Sequence, residues 1–447
     1  MKSLKYITTA LIALSPAILS AEELTFNQCL EMAMEYNQKV KSADYYSSAA
    51  KYEQNAARAH FFPNISLTGS VLYSSIDGKL STDEFNLPVL NGTGQYTGDI
   101  VHVPSLGFDY KFGWIYGGGI KLEQPIFMGG KIIAGYKIAK SANLLYAQNK
   151  RLTEAEVIVE TATAYANLMR ATEIREVAFS YKTLLDELQN DVNKAYKHGL
   201  KPKNDVLKVQ VKLNEAILNL RKAENACKLA SMNLCHYIGR NLSDSITVNV
   251  NSIDSENNSS VSYDFSERPE NIILKHKTDI ANQKVNVARS EYMPQIGLVG
   301  EYGYMNGINF ANKKLLNSSS FMVGVQVSVP LYDFGYRSNK IKVAKAQLAA
   351  TKAEQEDTEQ LLALGLNQAI NNLDEANLEV ELAKSSVASA DENLRSSIKQ
   401  YQAGLETLTD NLEAQTIWQQ AHTTLVEAKA NRFLKNIEYL RASGRLN

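Results

Sequence analysis

Residues 112–123 read Phe-Gly-Trp-Ile-Tyr-Gly-Gly-Gly-Ile-Lys-Leu-Glu. On an extended chain, Phe112, Trp114, Tyr116, Gly118, Ile120 and Leu122 fall on one side, and Gly113, Ile115, Gly117, Gly119, Lys121 and Glu123 on the other. Three further rows share this alternation. Ile65, Leu67, Gly69, Val71 and Tyr73 alternate with Ser66, Thr68, Ser70, Leu72 and Ser74. Ile296, Leu298, Gly300, Tyr302 and Tyr304 form a third row. Phe321, Val323, Val325, Val327, Val329 and Leu331 form the fourth, opposite Ser320, Gly324, Gln326 and Ser328. Strands of about 10 to 13 residues cross a bilayer when tilted. One face is apolar with aromatics and the other small and polar, which suits lipid outside and water inside. A soluble β-sandwich is the alternative for the strands taken alone.

Outward from these rows the chain changes character. Residues 22–62, 136–198, 203–238, 270–293 and 405–443 contain neither glycine nor proline. They read as helices. The stretch Tyr136 to His198 alone is roughly 95 Å of helix at 1.5 Å per residue, too long for one compact globule. In 203–238 a heptad is explicit: Val206, Leu213, Leu220, Cys227 and Leu234, with Val209, Ala216, Ala223, Ala230 and Tyr237 as companions. Residues 405–443 follow it less strictly, with Ala414, Ala421 and Ala428 beside Trp418 and Leu425.

The chain reads as a duplication. Pro125, Gly130, Tyr196, Gly199, Leu200, Asp205, Leu207 and Gln210 recur 205 residues later as Pro330, Gly335, Tyr401, Gly404, Leu405, Asp410, Leu412 and Gln415. Upstream the offset is 231, where Ala57-Arg58 and Pro63 match Ala288-Arg289 and Pro294. The first repeat therefore carries a longer insert between its strands, at about 77–111, expected as an extracellular loop. The expected organisation is a signal peptide (1–21), a first repeat (22–239), a polar linker (240–269) and a second repeat (270–447). The signal rests on Lys2 and Lys5 before an apolar stretch from Tyr6 to Leu19, then small residues at Ser20 and Ala21.

Composition excludes several classes. Lys and Arg number 47 against 48 Asp and Glu, so no basic field holds nucleic acid. No apolar run reaches the roughly 18 to 20 residues of a membrane helix. Cys29, Cys227 and Cys235 are too few and too unevenly placed for a disulfide framework and read as small buried hydrophobes. The six histidines show no metal-ligand spacing. Met128-Gly129-Gly130-Lys131-Ile132 lacks the spacing of a phosphate loop, and no nucleophile–base pair is evident, so neither an enzyme nor a cofactor is expected.

Four strands cannot close a barrel, and an open edge in lipid leaves amides unpaired. Several chains must pool strands: two give eight, three give twelve, four give sixteen. The fold class expected is an α+β membrane protein, a long helical coiled-coil barrel plus four strands per chain in an oligomeric transmembrane β-barrel.

The residues then carry a resemblance. Leu24-Thr25-Phe26-Asn27-Gln28-Cys29-Leu30, Ala57-Arg58 with Phe62-Pro63, Pro125 to Gly130, Pro330-Leu331-Tyr332-Asp333-Phe334-Gly335 and Tyr401-Gln402-Ala403-Gly404-Leu405 resemble the TolC-type outer-membrane efflux family. The resemblance spans the chain after the signal. It implies a homotrimer in the bacterial outer membrane, with a twelve-stranded barrel, a periplasmic tunnel, and docking to a periplasmic adaptor and an inner-membrane transporter. It places the polar stretch 240–268 in a mid-tunnel belt.

The resemblance also implies a periplasmic gate at the hairpin tips, Gly199–Asp205 and Gly404–Asp410. Asp410 and Glu413, three residues apart on one helix face, match the acidic rings of the constriction. Tyr401 and Asp205 match two gate positions, while Glu406 stands where the family has a basic residue. Lys201 and Glu406 are equivalent in the two repeats and opposite in charge, so Lys201 or Lys203 is expected to pair with Glu406 between hairpins. Gly199, Leu200, Gly404 and Leu405 are the expected adaptor contacts. The function expected is the exit duct of a tripartite small-molecule efflux system. A type I protein-secretion duct and a non-conducting spacer or surface receptor are the alternatives.

Overall fold

The computed structural model describes residues 22–248, 264–310 and 313–446. The expected signal peptide and half of the polar linker, residues 249–263, lie outside the described residues. The first half runs β1 (Glu22–Leu24), α1 (Phe26–Tyr36), α2 (Gln38–Ala59), β2 (Asn64–Tyr73), β3 (Asp77–Ser81), β4 (Phe85–Leu90), β5 (Tyr96–Val103), β6 (Gly107–Met128), α3 (Lys131–Lys197) and α4 (Lys203–Ile238). The second runs β7 (Ile246–Val248), α5 (Pro269–Ser290), β8 (Gln295–Phe310), β9 (Lys313–Ser328), α6 (Tyr336–Gln402) and α7 (Leu408–Ala442). Helices α3 and α6 have 67 residues each, and α2 and α5 have 22 each. Both members of each pair start and end at the repeat offset, 205 for α3 and α6 and 231 for α2 and α5.

The chain divides into two units. One comprises residues up to Ser48, Leu144–Lys275 and Glu354 onward; the other comprises Ala49–Asn143 and His276–Ala353.

The second unit holds an antiparallel sheet in the order β2-β6-β8-β9. Cross-strand register puts Leu67, Ile120, Tyr302 and Phe321 in one row, and Ile65, Leu122, Gly300 and Val323 in the next. Leu67, Tyr302, Phe321 and Val323 are 82, 60, 79 and 68 % exposed, so nothing among the described residues covers this apolar face. Ser66, Thr68, Ser70, Gly117, Gly119, Ser320 and Gln326 lie on the opposite face. Gly307, at φ 117°, forms a bulge against β6, where a Cβ would meet the Trp114 carbonyl oxygen at 2.1 Å. Strands β2 and β9 are the edges of this path.

The insert expected as a loop carries the strands β3, β4 and β5. β3 continues the place of β2 along β6, pairing Asp77 with Lys111 and Ser81 with Gly107. Ser74 N–H donates to Gly113 O, and Phe112 N–H to Ile76 O, both at 2.9 Å, so the ladder continues across the break. Beyond it, β4 and β5 form a two-stranded ribbon. The physical reason is β6, whose 22 residues extend the template past the ten paired with β2.

In the first unit, β1 pairs with β7 in parallel, and Leu24 sits opposite Val248. This pair caps a core of Cys29 and Ala33 from α1, Val157, Tyr165 and Met169 from α3, and Leu234, Cys235 and Ile238 from α4. Tyr165 donates its hydroxyl to Leu24 O at 3.3 Å and meets Phe26 edge-on at 5.6 Å. Burial pushes the Cys29 thiol up to about 11, so it packs as a neutral hydrophobe. The α4 seam buries Val209, Leu213, Ala216, Ala223 and Leu234 as the heptads require. Cys235 and Ile238 are buried as well, because the last turn meets α1 and β7.

Helix α7 starts with a capping box. The Asp410 backbone N–H donates to Thr407 Oγ1 at 3.3 Å, and Asp410 Oδ2 accepts from the Thr407 N–H at 3.2 Å and its hydroxyl at 2.6 Å. Helix α4 starts on Pro202, which supplies no such bond. Thr407→Ala should cost about 1 kcal/mol in the first turn of α7. Hydrogen exchange at the Asp410 amide should accelerate roughly fivefold, with α4 amides unchanged.

Candidate functional site

The site is built on two matching turns. Helix α3 ends where Gly199 N–H donates to Tyr196 O and Leu200 N–H to Ala195 O, both at 2.9 Å. Helix α6 ends identically, Gly404 N–H to Tyr401 O at 3.1 Å and Leu405 N–H to Gln400 O at 2.9 Å. Both glycines have φ 76°, a left-handed conformation that side chains resist, which is why glycine recurs at the repeat offset. The turns leave Leu200 75 % and Leu405 81 % exposed, so each hairpin ends in an apolar side chain held in water.

Just behind the tips, α3, α4 and α7 share one apolar core. Leu185 and Val192 from α3, Val209 and Leu213 from α4, and Leu408 and Leu412 from α7 are buried together, and Tyr401 packs against them. Lys201 Nζ lies 4.9 Å from the centre of the Tyr401 ring. Burial first, then the negative charges of Asp205 and Asp191, push the Tyr401 phenol above its usual range. It therefore stays protonated and able to donate.

The expected gate residues separate into two groups. Lys201, Tyr401 and Asp205 are drawn together. Among the described residues, no ion pair joins Lys201 or Lys203 to Glu406 within the chain: Lys201 is over Tyr401, and Lys203 is exposed. Glu406 is half-buried, and its Oε2 is buried without a hydrogen-bond partner. Asp410 is engaged in the capping box, and Glu413 is exposed on the same face. Glu413 also lines a groove of about 620 Å³ between α4 and α7, with Leu207, Val211 and Leu412 as its apolar wall.

A second feature was legible only by setting the two repeats side by side. Asn411 Nδ2 donates to Ser397 Oγ at 3.1 Å, and Gln415 Nε2 to Asn411 Oδ1 at 2.9 Å, all three residues buried. Their counterparts 205 residues earlier are Val192, Val206 and Gln210, two of them apolar and the third an exposed partner of Asn214. One turn further on, Asp391 Oδ1 accepts from Trp418 Nε1 at 2.7 Å and lies 2.9 Å from His422 Nε2. The counterparts of Trp418 and His422 are Leu213 and Ile217. The second hairpin thus adds directional polar contacts at positions that are mostly apolar in the first. Such networks hold one geometry and tolerate displacement poorly.

Among the described residues, no group of His, Cys, Asp or Glu is placed to hold a metal ion, and no helix is long and apolar enough to cross a membrane. What the two tips offer is shape and charge.

Comparison with known proteins places this geometry. The family model for outer membrane efflux proteins matches residues 29–240 and 274–444. The chain is 22 % identical over 330 residues to the outer membrane efflux protein BepC of Brucella suis biovar 1 (strain 1330), covering 73 % of this chain and 72 % of that protein. It is 23 % identical over 336 residues to the alkaline protease secretion protein AprF of Pseudomonas aeruginosa, covering 73 % of this chain and 68 % of that one. The crystal structure of the Campylobacter jejuni CmeC outer membrane channel superposes with a TM-score of 0.76 at 18 % identity, over 94 % of this chain and 85 % of that one. With both halves matched and the outer membrane as its place, the chain belongs to the outer membrane efflux protein family, the TolC-type family its turn motifs resemble.

Proposed function

We propose that three copies of this chain build one duct, which carries small molecules out of the cell through the outer membrane. One observation carries the reading: an open sheet with an uncovered apolar face, a polar opposite face, and edge strands β2 and β9 that have no outer partner among the described residues. Pairing β9 of one copy with β2 of the next removes every edge. Apolar rows such as Leu67, Ile120, Tyr302 and Phe321 then face lipid, and Ser66, Thr68, Ser70, Ser320, Gln326 and Ser328 face the lumen. The count of three comes from the family resemblance and gives twelve strands. The long helices form the periplasmic part of the wall. The chain supplies no chemical energy, so an inner-membrane transporter must drive transport, and a periplasmic adaptor would read Leu200 and Leu405 beside Gly199 and Gly404.

The tips act as the gate in this reading. Tyr401, Asp205 and Lys201 form one contact between the hairpins. Glu406, with a buried unpartnered oxygen, is open to Lys203 or Lys201 of a neighbouring copy. Asp410 and Glu413 of three copies place six carboxylates around the axis, which favours cations at the neck. Similarity to AprF favours a second reading, in which the same duct serves protein secretion.

Reconstituted protein should migrate as a trimer and conduct ions in planar bilayers. A deletion strain should become sensitive to toxic small molecules while its secreted proteins stay unchanged. Normal susceptibility with lost secretion would select the secretion reading, and trimers without conductance would leave only the spacer.

The cation over Tyr401 should be worth about 0.5–1 kcal/mol per copy, or about 1.5–3 kcal/mol for three. Lys201→Met should therefore raise the open probability of single channels roughly ten- to hundredfold, whereas Lys201→Arg should keep it near the parent value. Equal open probability in all three proteins would remove Lys201 from the gate.

A further inference from the structure

The ribbon β4–β5 is the part of the sheet that the duct does not use. It is built, not loose. After Ser81↔Gly107, the Thr82 N–H donates to Leu106 O and the Leu106 N–H to Thr82 Oγ1, both at 3.0 Å. Phe85 then pairs with Val103, and Leu87 with Val101. At the tip, Asn91 Oδ1 accepts from the Gln95 N–H at 2.8 Å, the Thr93 hydroxyl at 2.7 Å and the Thr93 N–H at 3.1 Å. The ribbon has no counterpart in the second repeat, where β8 passes to β9 between Phe310 and Lys313.

Its two faces differ. Phe85, Leu87, Val101 and Val103 project from one, and Asn86 and His102 from the other, where Pro88 and Ile100 follow toward the tip. On the polar face His102 Nδ1 lies 2.9 Å from Asn86 Oδ1, and His102 Nε2 lies 3.6 Å from Glu84. On the apolar face Phe85, Leu87 and Val101 are 46, 49 and 52 % exposed. A two-stranded ribbon alone is marginal in water, and a sheet that is polar on one side only expects cover on the other. Among the described residues none covers it fully, for Phe85, Leu87 and Val101 stay half exposed. The ribbon lies at the end of the ladder away from Met128, beyond the ten pairs of β2 with β6.

We infer that the covering surface is the neighbouring copy: the three β4–β5 ribbons of one duct shield one another's apolar faces and form a collar around its outer mouth. This rests on the trimeric duct proposed above. The continuity of the edge selects the occupant. β4 follows directly from the β2/β3 edge, whose amides must be paired by a second chain, so the chain that closes that edge stands beside the ribbon too. The polar face, with Glu84, Asn86 and His102, is left to water.

The test is photocrosslinking in the intact outer membrane, with p-benzoylphenylalanine placed at position 87 or, on the polar face, at position 86. Adducts between copies are expected from position 87 at least fivefold above those from position 86. In parallel, the ribbon Glu84–Val103 is replaced by a two-residue turn, and single-channel conductance is expected to rise at least twofold while trimers persist on native gels. Adducts at 87 that are only intrachain or only to outer-leaflet glycolipid, with trimers intact, overturn the collar and leave the duct standing. Unchanged conductance of the ribbon-free trimer also overturns it. Absence of trimers in the parent protein overturns the duct and the collar together.

Discussion

A backbone amide in hydrocarbon has no water to turn to. Leaving one unpaired costs several kcal/mol, and a strand edge presents a whole row of them. The sheet here has such a row on β2 and another on β9. Its apolar face, with Phe321 and Leu67 close to fully open, would be equally costly in water. Neither surface can be satisfied by the chain in its own environment. In the proposed duct, lipid answers the face and another copy answers the edges, so that membrane insertion and assembly become one requirement seen from two sides. The helices follow from the same condition, because a wall pooled among copies needs elements long enough to run the length of that wall.

Duplication supplies this economically. Helices α3 and α6 have the same length, and their terminal turns repeat the same hydrogen bonds around Gly199 and Gly404. Symmetry of the backbone does not carry over to the interior. Val192 and Val206 became Ser397 and Asn411, and Leu213 and Ile217 became Trp418 and His422. Apolar contacts slide at small cost, whereas a buried amide pair such as Asn411 with Gln415 has one good geometry and a penalty elsewhere. The position of the second hairpin is therefore defined more sharply than that of the first.

Much of this was readable from residues. Period-two rows located β2, β6, β8 and β9, and the runs without glycine or proline located the long helices. The insert was not readable. Asp77-Gly78-Lys79-Leu80-Ser81 has little apolar alternation, yet it pairs because the long β6 holds it in register; Pro88 argues against a strand, yet β4 pairs with β5, with a register shift after Pro88. At the tips, the opposite charges of Lys201 and Glu406 at equivalent positions pointed to an ion pair. Within one chain Lys201 lies over the face of Tyr401, and the pairing with Glu406 of a neighbouring copy belongs to the proposed gate. Asp410 is a further case. Thr407-Leu408-Thr409-Asp410 is a capping pattern in plain sight, and the carboxylate that an acidic ring would use also holds the first turn of its helix.

That double duty limits how the neck can be tuned. A carboxylate bonded to the Thr407 hydroxyl and N–H is fixed in direction, so any charge it presents to the axis moves only with α7 itself. Glu413, one turn on and exposed, has no such tether. Opening the tips by displacing α7 would carry Asp410 outward with the helix, while Glu413 could swing to follow a passing cation. In the proposed gate, field strength at the neck and hairpin position would then be coupled through one capping residue, Asp410, whose carboxylate is bonded to Thr407.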